Sequence, residues 1–241
     1  MFHGNVDIKR FYNRLNNPYI AEKERCLAQR IASLFPRHGT NLLEVGCGEG
    51  SNLHYLRQEL PHARITGLDL SSEKIDFLQS VYDDVLAICG DATNLPFDDA
   101  EYDLVLCRDL LHHIYFARKR VLSEVFRVVR HGGVVIIIES DGRRLLNRVF
   151  RALCPAERGM RFSRPEMLSV LTRGFGTTEL EYIEASFLIR ACAFFWGWPE
   201  RLIQQRMVSA CYYLARLWER GVEAFLPKSR WTYMMITVRK S

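Results

Sequence analysis

Three glycines at alternate positions, Gly46, Gly48 and Gly50, lie in the stretch NLLEVGCGEGSNLHYL, behind an apolar run and ahead of a helix-like segment. Glycine at a strand-to-helix turn lets the backbone bend sharply and approach a ligand with no Cβ in the way. Helix-terminal N–H groups at such a turn can face that ligand. Glu44, two residues before the turn, sets a negative charge there, which disfavours a pyrophosphate and favours an ammonium or sulfonium group. Asp69 closes a second apolar run, and an acceptor-only side chain in that place suits the two hydroxyls of a ribose. Asp91, in CGDATNLPF, closes a third, where a carboxylate can accept from an exocyclic amine such as that of adenine. The set predicts a nucleoside ligand with a cationic tail. A nicotinamide dinucleotide would call for GxGxxG, whereas this turn reads GxGxG with Ser51 at the third glycine's place.

The elements that must hold these residues are readable from periodicity. NLLEVG, RITGLDL, VLAICGD, YDLVLCR and GVVIIIES are short and mostly Val, Ile and Leu, as strands covered on both faces should be. Between them GSNLHYLRQEL, SSEKIDFLQSVY and ARKRVLSEVFRVVR carry apolar residues at helical spacing. Strand–helix alternation predicts a doubly wound α/β fold with a parallel sheet, whose ligands sit at the carboxyl ends of the strands. Further on, SRPEMLSVLTRGFG predicts a helix opened by a capping box of Ser163 and Glu166, TTELEYIEA a late strand, and WTYMMITVRK a final one. The span from Pro199 to Pro227 predicts a long amphipathic helix with an apolar stripe of Ile203, Met207, Cys211, Leu214, Trp218, Val222 and Phe225.

In this frame the chain resembles a class I S-adenosylmethionine-dependent methyltransferase of the small-molecule branch. LLEVGCGEG resembles that family's first motif, GLDLS its acidic second-strand end and GDATNLPF its adenine-side motif. FDDAEYDLVLCRDLLHHI resembles the fourth strand with its loop, and RVVRHGGVVIIIE the helix and strand after it. The resemblance covers residues 41–139 in order. It implies a Rossmann-like seven-stranded sheet, mostly parallel with an antiparallel last strand, and a C-terminal helical insertion. It also implies S-adenosyl-L-methionine as cofactor, with Glu44, Gly46, Gly48 and Gly50 at its methionine part. Asp69 with Leu70 would then hold the ribose, Asp91 with Ala92 the adenine, and the backbone of Arg108 would pass beneath the sulfonium. RFYNRLNNPYI resembles an N-terminal lid, in which Tyr12 or Tyr19 would either cover the cofactor or simply pack. The expected organisation is one domain over 1–241, with a helical lid over 1–40, a cofactor core over 41–140 and acceptor-side elements over 141–241.

Methyl transfer from a sulfonium is an in-line displacement in which positioning supplies most of the rate. A hydroxyl acceptor would also need a base. His112 and His113 are the candidates, with Asp109 behind them; no metal is expected. The loop CRDLLHH lacks the Asn/Asp-Pro-Pro-aromatic pattern of adenine or glutamine methylation, and no Pro-Cys pair or RNA-binding motif is present, so a nucleic-acid partner is not expected. Residues 1–142 hold 16 Lys+Arg against 20 Asp+Glu, and residues 143–241 hold 17 against 8, so the basic excess is confined to the C-terminal part. SFLIRACAFFWGWPERLIQQRMVSACYYLARLWERG reads either as a helical cap or dimer interface, or as an apolar, basic-rimmed entrance for a hydrophobic acceptor. The latter could rest on a membrane surface. Seven scattered cysteines without a CxxC pair and no signal-like apolar start predict a reduced, cytoplasmic protein. A cofactor-binding sensor or assembly protein without turnover is the alternative function.

Overall fold

The structure, a computed structural model, describes residues 6–185, 188–195, 197–199 and 201–241. The five Val/Ile/Leu-rich runs form parallel strands: β1 (Asn41–Val45), β2 (Arg64–Asp69), β3 (Val85–Cys89), β4 (Tyr102–Arg108) and β5 (Val129–Ser140). β6 (Gly176–Glu184) and β7 (Tyr233–Lys240) complete a sheet of order β3-β2-β1-β4-β5-β7-β6, in which β7 lies antiparallel to both its neighbours. This is the expected doubly wound fold with its antiparallel last strand.

The period of two along β4 divides the core. Leu104 and Leu106 face a cluster with Leu27 and Ile31 of α2 (Pro18–Leu34), Leu53 and Leu56 of α3 (Ser51–Glu59) and Leu78 of α4 (Ser72–Val81). Val105 and Cys107 face the other side, with Val121, Val125 and Phe126 of α5 (Arg118–Val128) and Leu168 of α7 (Pro165–Thr172). Strand order reverses between β1 and β4, so their carboxyl ends open the crevice where such sheets bind ligands. In front of it, α1 (Ile8–Asn16) is joined to α2 by Asn17, whose side chain accepts from the N–H groups of Tyr19 and Ile20, with Pro18 at the first helical position.

Two local expectations are corrected. The helix over 117–130 stops at Val128, because Val129 already pairs with Tyr102 as the start of β5. The capping box does not form: Ser163 gives its hydroxyl to Glu139, Glu166 pairs with Arg143, and Arg164 precedes the helix without a side-chain cap.

The C-terminal helices are α6 (Leu145–Leu153), α8 (Leu188–Phe195) and α9 (Leu202–Phe225), the last being the long helix expected between Pro199 and Pro227. The predicted apolar stripe of α9 does not face the protein. Ile203, Met207, Leu214, Trp218 and Phe225 are all exposed, Phe225 at 91%, while Tyr212, Ala215 and Glu219 point inward. The inward side of α9 is mixed: Tyr212 and Ala215 join a small buried cluster with Ile20 of α2 and Ile189 and Cys192 of α8, while Lys23 of α2 pairs with Glu219 at 2.8 Å, Glu22 pairs with Arg216, and Tyr19 stacks on Tyr212. The apolar stripe itself is left to the solvent. Among the described residues no helix is long and apolar enough to cross a membrane.

Candidate active site

The glycine turn separates packing from binding. Gly46, Gly48 and Gly50 all have positive φ, at 77°, 57° and 79°. A Cβ on Gly46 would lie 2.8 Å from Leu110 and one on Gly50 2.3 Å from Leu78, so these two are required by close contacts. A Cβ on Gly48 would meet nothing within 4 Å. Here the missing side chain keeps open a space that no atom of the described residues fills. The tips of the first three strands converge on this point. Gly46 and Cys47 donate to the carbonyl of Leu68, Gly48 donates to Asp69 Oδ2 at 2.9 Å, and Gly90 donates to the Asp69 carbonyl at 2.9 Å. Asp69 thereby stands between the cradle and Asp91. Its Oδ1 accepts from Ser71, leaving lone pairs on both oxygens for a ligand. Leu70 is exposed beside it, and Ala92 packs partly on the core next to Asp91, which is exposed and caps Thr93.

Glu44 is fully buried behind the turn. Asn52 of α3 donates to its Oε1, but its Oε2 finds no hydrogen-bond partner among the described residues. Burial, partly offset by the Asn52 hydrogen bond and the Arg108 charge, pushes its carboxyl up to about 7. An orphaned carboxylate oxygen in an apolar setting is costly unless a cation or donor meets it, so the residues fit the ammonium end of S-adenosylmethionine. Asn52 is held in turn by Arg108, whose side chain turns away from the strand tip into a buried network. There it donates to Glu24 of α2 at 2.5 and 3.0 Å and to the Tyr233 hydroxyl at 3.0 Å. Glu24 also pairs with Arg14 and Arg190, at 3.1 and 2.8 Å. Burial alone would raise the Glu24 carboxyl, but three guanidiniums hold it well below its usual range. Asn52, Glu24, Arg14 and Tyr233 escaped the sequence reading, because nothing local marks a helix carboxylate that meets guanidiniums from three other elements.

On the acceptor side, Asp109 takes a positive φ of 50° at the tip of β4 and accepts from the Tyr233 hydroxyl at 2.8 Å. His112 is buried with both ring nitrogens against carboxylates, Nδ1 to Glu139 at 2.6 Å and Nε2 to Glu157 at 3.2 Å. Burial would lower its pKa, but the charge and hydrogen bond of Glu139, joined by Glu157, hold it well above the usual imidazole value. His112 is therefore an imidazolium that donates on both sides. The ring of His113 lies 4.0 Å from that of His112. Polar atoms of His112, His113 and Glu157, and of Asp109, His112 and Glu139, come within 4.8 Å of one another. Glu139 had a faint sequence signal, a lone acid at the end of GVVIIIES.

Of the two lid tyrosines, Tyr12 is exposed on α1 with its ring edge-on to Phe11 at 5.3 Å. Tyr19 points to the C-terminal helices and stacks on Tyr212 with ring centroids 5.3 Å apart. A cavity of about 360 Å³ between α2, β6 and α9 is lined by Glu22, Lys23, Arg30, Glu219 and Arg220. Cys26, Leu27, Ile183 and Trp231 also form its walls, so the cavity mixes charged and apolar side chains. Ser186, Phe187, Trp196 and Glu200 of the stretch 185–226 fall outside the described residues.

Residues 43–137 match the family model described as a methyltransferase domain. Over 109 residues the chain is 39% identical to phthiotriol/phenolphthiotriol dimycocerosates methyltransferase of Mycobacterium tuberculosis, a stretch covering 44% of this chain and 40% of that protein. Over 120 residues it is 37% identical to a fatty-acid O-methyltransferase of Mycolicibacterium smegmatis, covering 49% and 43%. The matched stretch thus spans less than half of these curated relatives. A crystal structure of a SAM-dependent methyltransferase from Archaeoglobus fulgidus superposes with a TM-score of 0.63 at 16% identity, covering 90% of this chain and 92% of that one. At that identity the likeness is one of fold.

Proposed function

The chain carries a class I S-adenosylmethionine-dependent methyltransferase domain, and on that premise we propose that it transfers a methyl group to a small, hydrophobic, lipid-like acceptor. The observation that carries the reading is the buried, unpartnered Oε2 of Glu44 behind the open face of Gly48. The cofactor, when bound, supplies a methyl group activated by its sulfonium. The chain's own residues do the rest. Glu44 meets the ammonium of the methionine part, and the backbone at Gly46–Gly50 lets the ligand approach. Asp69 accepts from the ribose hydroxyls and Asp91 from the adenine amine. Gly46 of this cradle lies against Leu110 of the loop after β4, so that loop would align the acceptor, from which most of the rate would come.

His112, protonated between Glu139 and Glu157, spends both N–H groups on those carboxylates and so fixes the loop after β4, and His113 beside it is the candidate to take a proton from a hydroxyl. A carboxylate acceptor would need no base. The lipid-like acceptor is supported by the names of the two mycobacterial relatives and by the exposed apolar side chains of α6, α9 and Phe116. Seven free thiols suit a reducing compartment such as the cytoplasm.

The test is incubation with S-adenosylmethionine and panels of long-chain fatty acids and phenolic lipids, with methylated products read by mass spectrometry. Methyl esters or ethers are the expected result. Cofactor binding without product across both panels would favour the sensor or assembly role, and tight binding of NAD in place of S-adenosylmethionine would remove the methyltransferase reading. With a hydroxyl acceptor, His113→Ala should lower turnover and leave cofactor affinity intact.

A further inference from the structure

Four arginines, Arg148 and Arg151 of α6 with Arg158 and Arg161 of the following 3₁₀ turn (Pro155–Phe162), line a single open recess of about 320 Å³. Among the described residues none of the four makes an ion pair. Arg151 reaches the carbonyl of Gly142 at 3.4 Å and Arg161 lies over the ring of Phe162. The contrast with their neighbours is sharp, since Arg143 and Arg144 at the start of the same segment are both paired with the buried Asp141. Convergent guanidiniums repel one another unless an anion sits among them, and their planar forks match phosphate geometry.

The helix that carries two of them is amphipathic in the wrong sense for a buried element. Asn147 and Phe150 face inward, while Leu145, Val149 and Leu153, at i, i+4 and i+8, are 72%, 50% and 63% exposed. An apolar stripe on the solvent side, flanked along the helix by arginines, is the pattern of a helix lying in a membrane surface. The turn itself is fixed. A Cβ on Gly159 would come 1.8 Å from the carbonyl of His112, and Glu157 touches His112 Nε2 at 3.2 Å. The arginine recess is thus anchored beside the acceptor side of the site.

We propose that the recess formed by Arg148, Arg151, Arg158 and Arg161 binds the phosphate of an anionic lipid headgroup and so seats the Leu145–Val149–Leu153 stripe of α6 in a membrane surface. The docking is independent of the methyl-transfer reading, although it would bring a lipid acceptor to the loop that carries His112 and His113. It is tested on the full chain by cosedimentation with vesicles of phosphatidylcholine alone and of phosphatidylcholine with about one third phosphatidylglycerol. Association with the anionic vesicles alone is expected, and Arg148→Glu with Arg158→Glu should weaken it more than about tenfold. The same charge change at Arg37→Glu with Arg64→Glu, on exposed positions ahead of and at the start of strands, should weaken it far less. Arg148→Lys with Arg158→Lys should keep most of the binding, and Leu145→Ser with Val149→Ser should reduce the part that survives high salt.

Circular dichroism melting and S-adenosylmethionine affinity, unchanged in these variants, separate a docking defect from misfolding or a damaged cofactor site. Equal losses in the two charge-reversal pairs would overturn the proposal. So would binding of inorganic phosphate in the recess, by calorimetry, without vesicle association.

Discussion

Charge is handled in two ways in this molecule. Around α2 and β4 the charged groups are buried and matched: Glu24 meets Arg108, Arg14 and Arg190, and the chain of contacts runs on through Glu184, Lys23 and Glu219 to α9. On α6 and the turn after it, four arginines stand in the open, and among the described residues none pairs with a carboxylate. Apolar side chains divide along the same line, filling both faces of the sheet in the first region and lining the outside of α6 and α9 in the second. The charges around α2 and β4 are thus matched within the chain, whereas α6, the turn after it and the outer face of α9 present arginines and apolar side chains to the solvent. Buried ion pairs add little net stability over apolar packing, but they fail badly when one member is removed.

The largest effect should therefore come from the matched region. Glu24→Ala leaves three guanidiniums around an empty centre and should cost about 3–5 kcal/mol of folding stability. Arg148→Ala, in the unmatched region, should change it by less than about 0.5 kcal/mol. Urea unfolding of the two variants measures the contrast directly, and equal costs would dissolve it. Asp69→Ala comes next. It removes a charge-assisted contact to two hydroxyls and also the acceptor of the Gly48 N–H, and should weaken S-adenosylmethionine by about 2–4 kcal/mol in calorimetry. Unchanged affinity would refute the ribose role.

The cofactor region should also carry its own pH signature. Burial raises the Glu44 carboxyl from 4.5 to about 7, and an ammonium ligand requires the carboxylate. Below about pH 7 binding must expel a proton, so affinity should fall by roughly tenfold per pH unit and flatten above pH 7. Folding without ligand runs the other way. A raised acid prefers the protonated folded state, so this group's contribution to stability declines as pH rises from 4.5 to about 7. Opposite slopes from one residue make a strict test, and Glu44→Gln should abolish both.

The same division explains what could be read from sequence. The strands, the glycine turn and the acids at strand tips are local patterns, and local patterns survive translation into structure. Glu24, Asn52 and Tyr233 act through partners far along the chain, which no spacing reveals. His112 was legible as a residue in the right loop but not as an imidazolium, because that depends on Glu139 and Glu157 arriving from other elements. The stripe of α9 was legible as the apolar side of a helix but not as a solvent-facing one, since periodicity marks an apolar side without saying what covers it. The LLNRVFRAL of α6 carries the same ambiguity in a shorter span.

That face gives the smallest expected effect on folding. If Ile203, Leu214, Trp218 and Phe225 of α9 contact nothing within the fold, each change to serine should alter stability by no more than about 0.5 kcal/mol. Tyr212→Ala, one turn position away but fully buried against Tyr19, should cost about 3–5 kcal/mol. The contrast within one helix separates two causes that apolarity alone confuses. A large loss in the serine variants of dilute protein would mean that α9 packs inward on its apolar stripe. Unchanged folding with loss of a concentration-dependent dimer, read by sedimentation velocity, would mean that a second copy covers the stripe. Unchanged folding with no dimer in either protein would leave the α9 face to an apolar partner outside the chain, as the arginine recess leaves its charge to an anion.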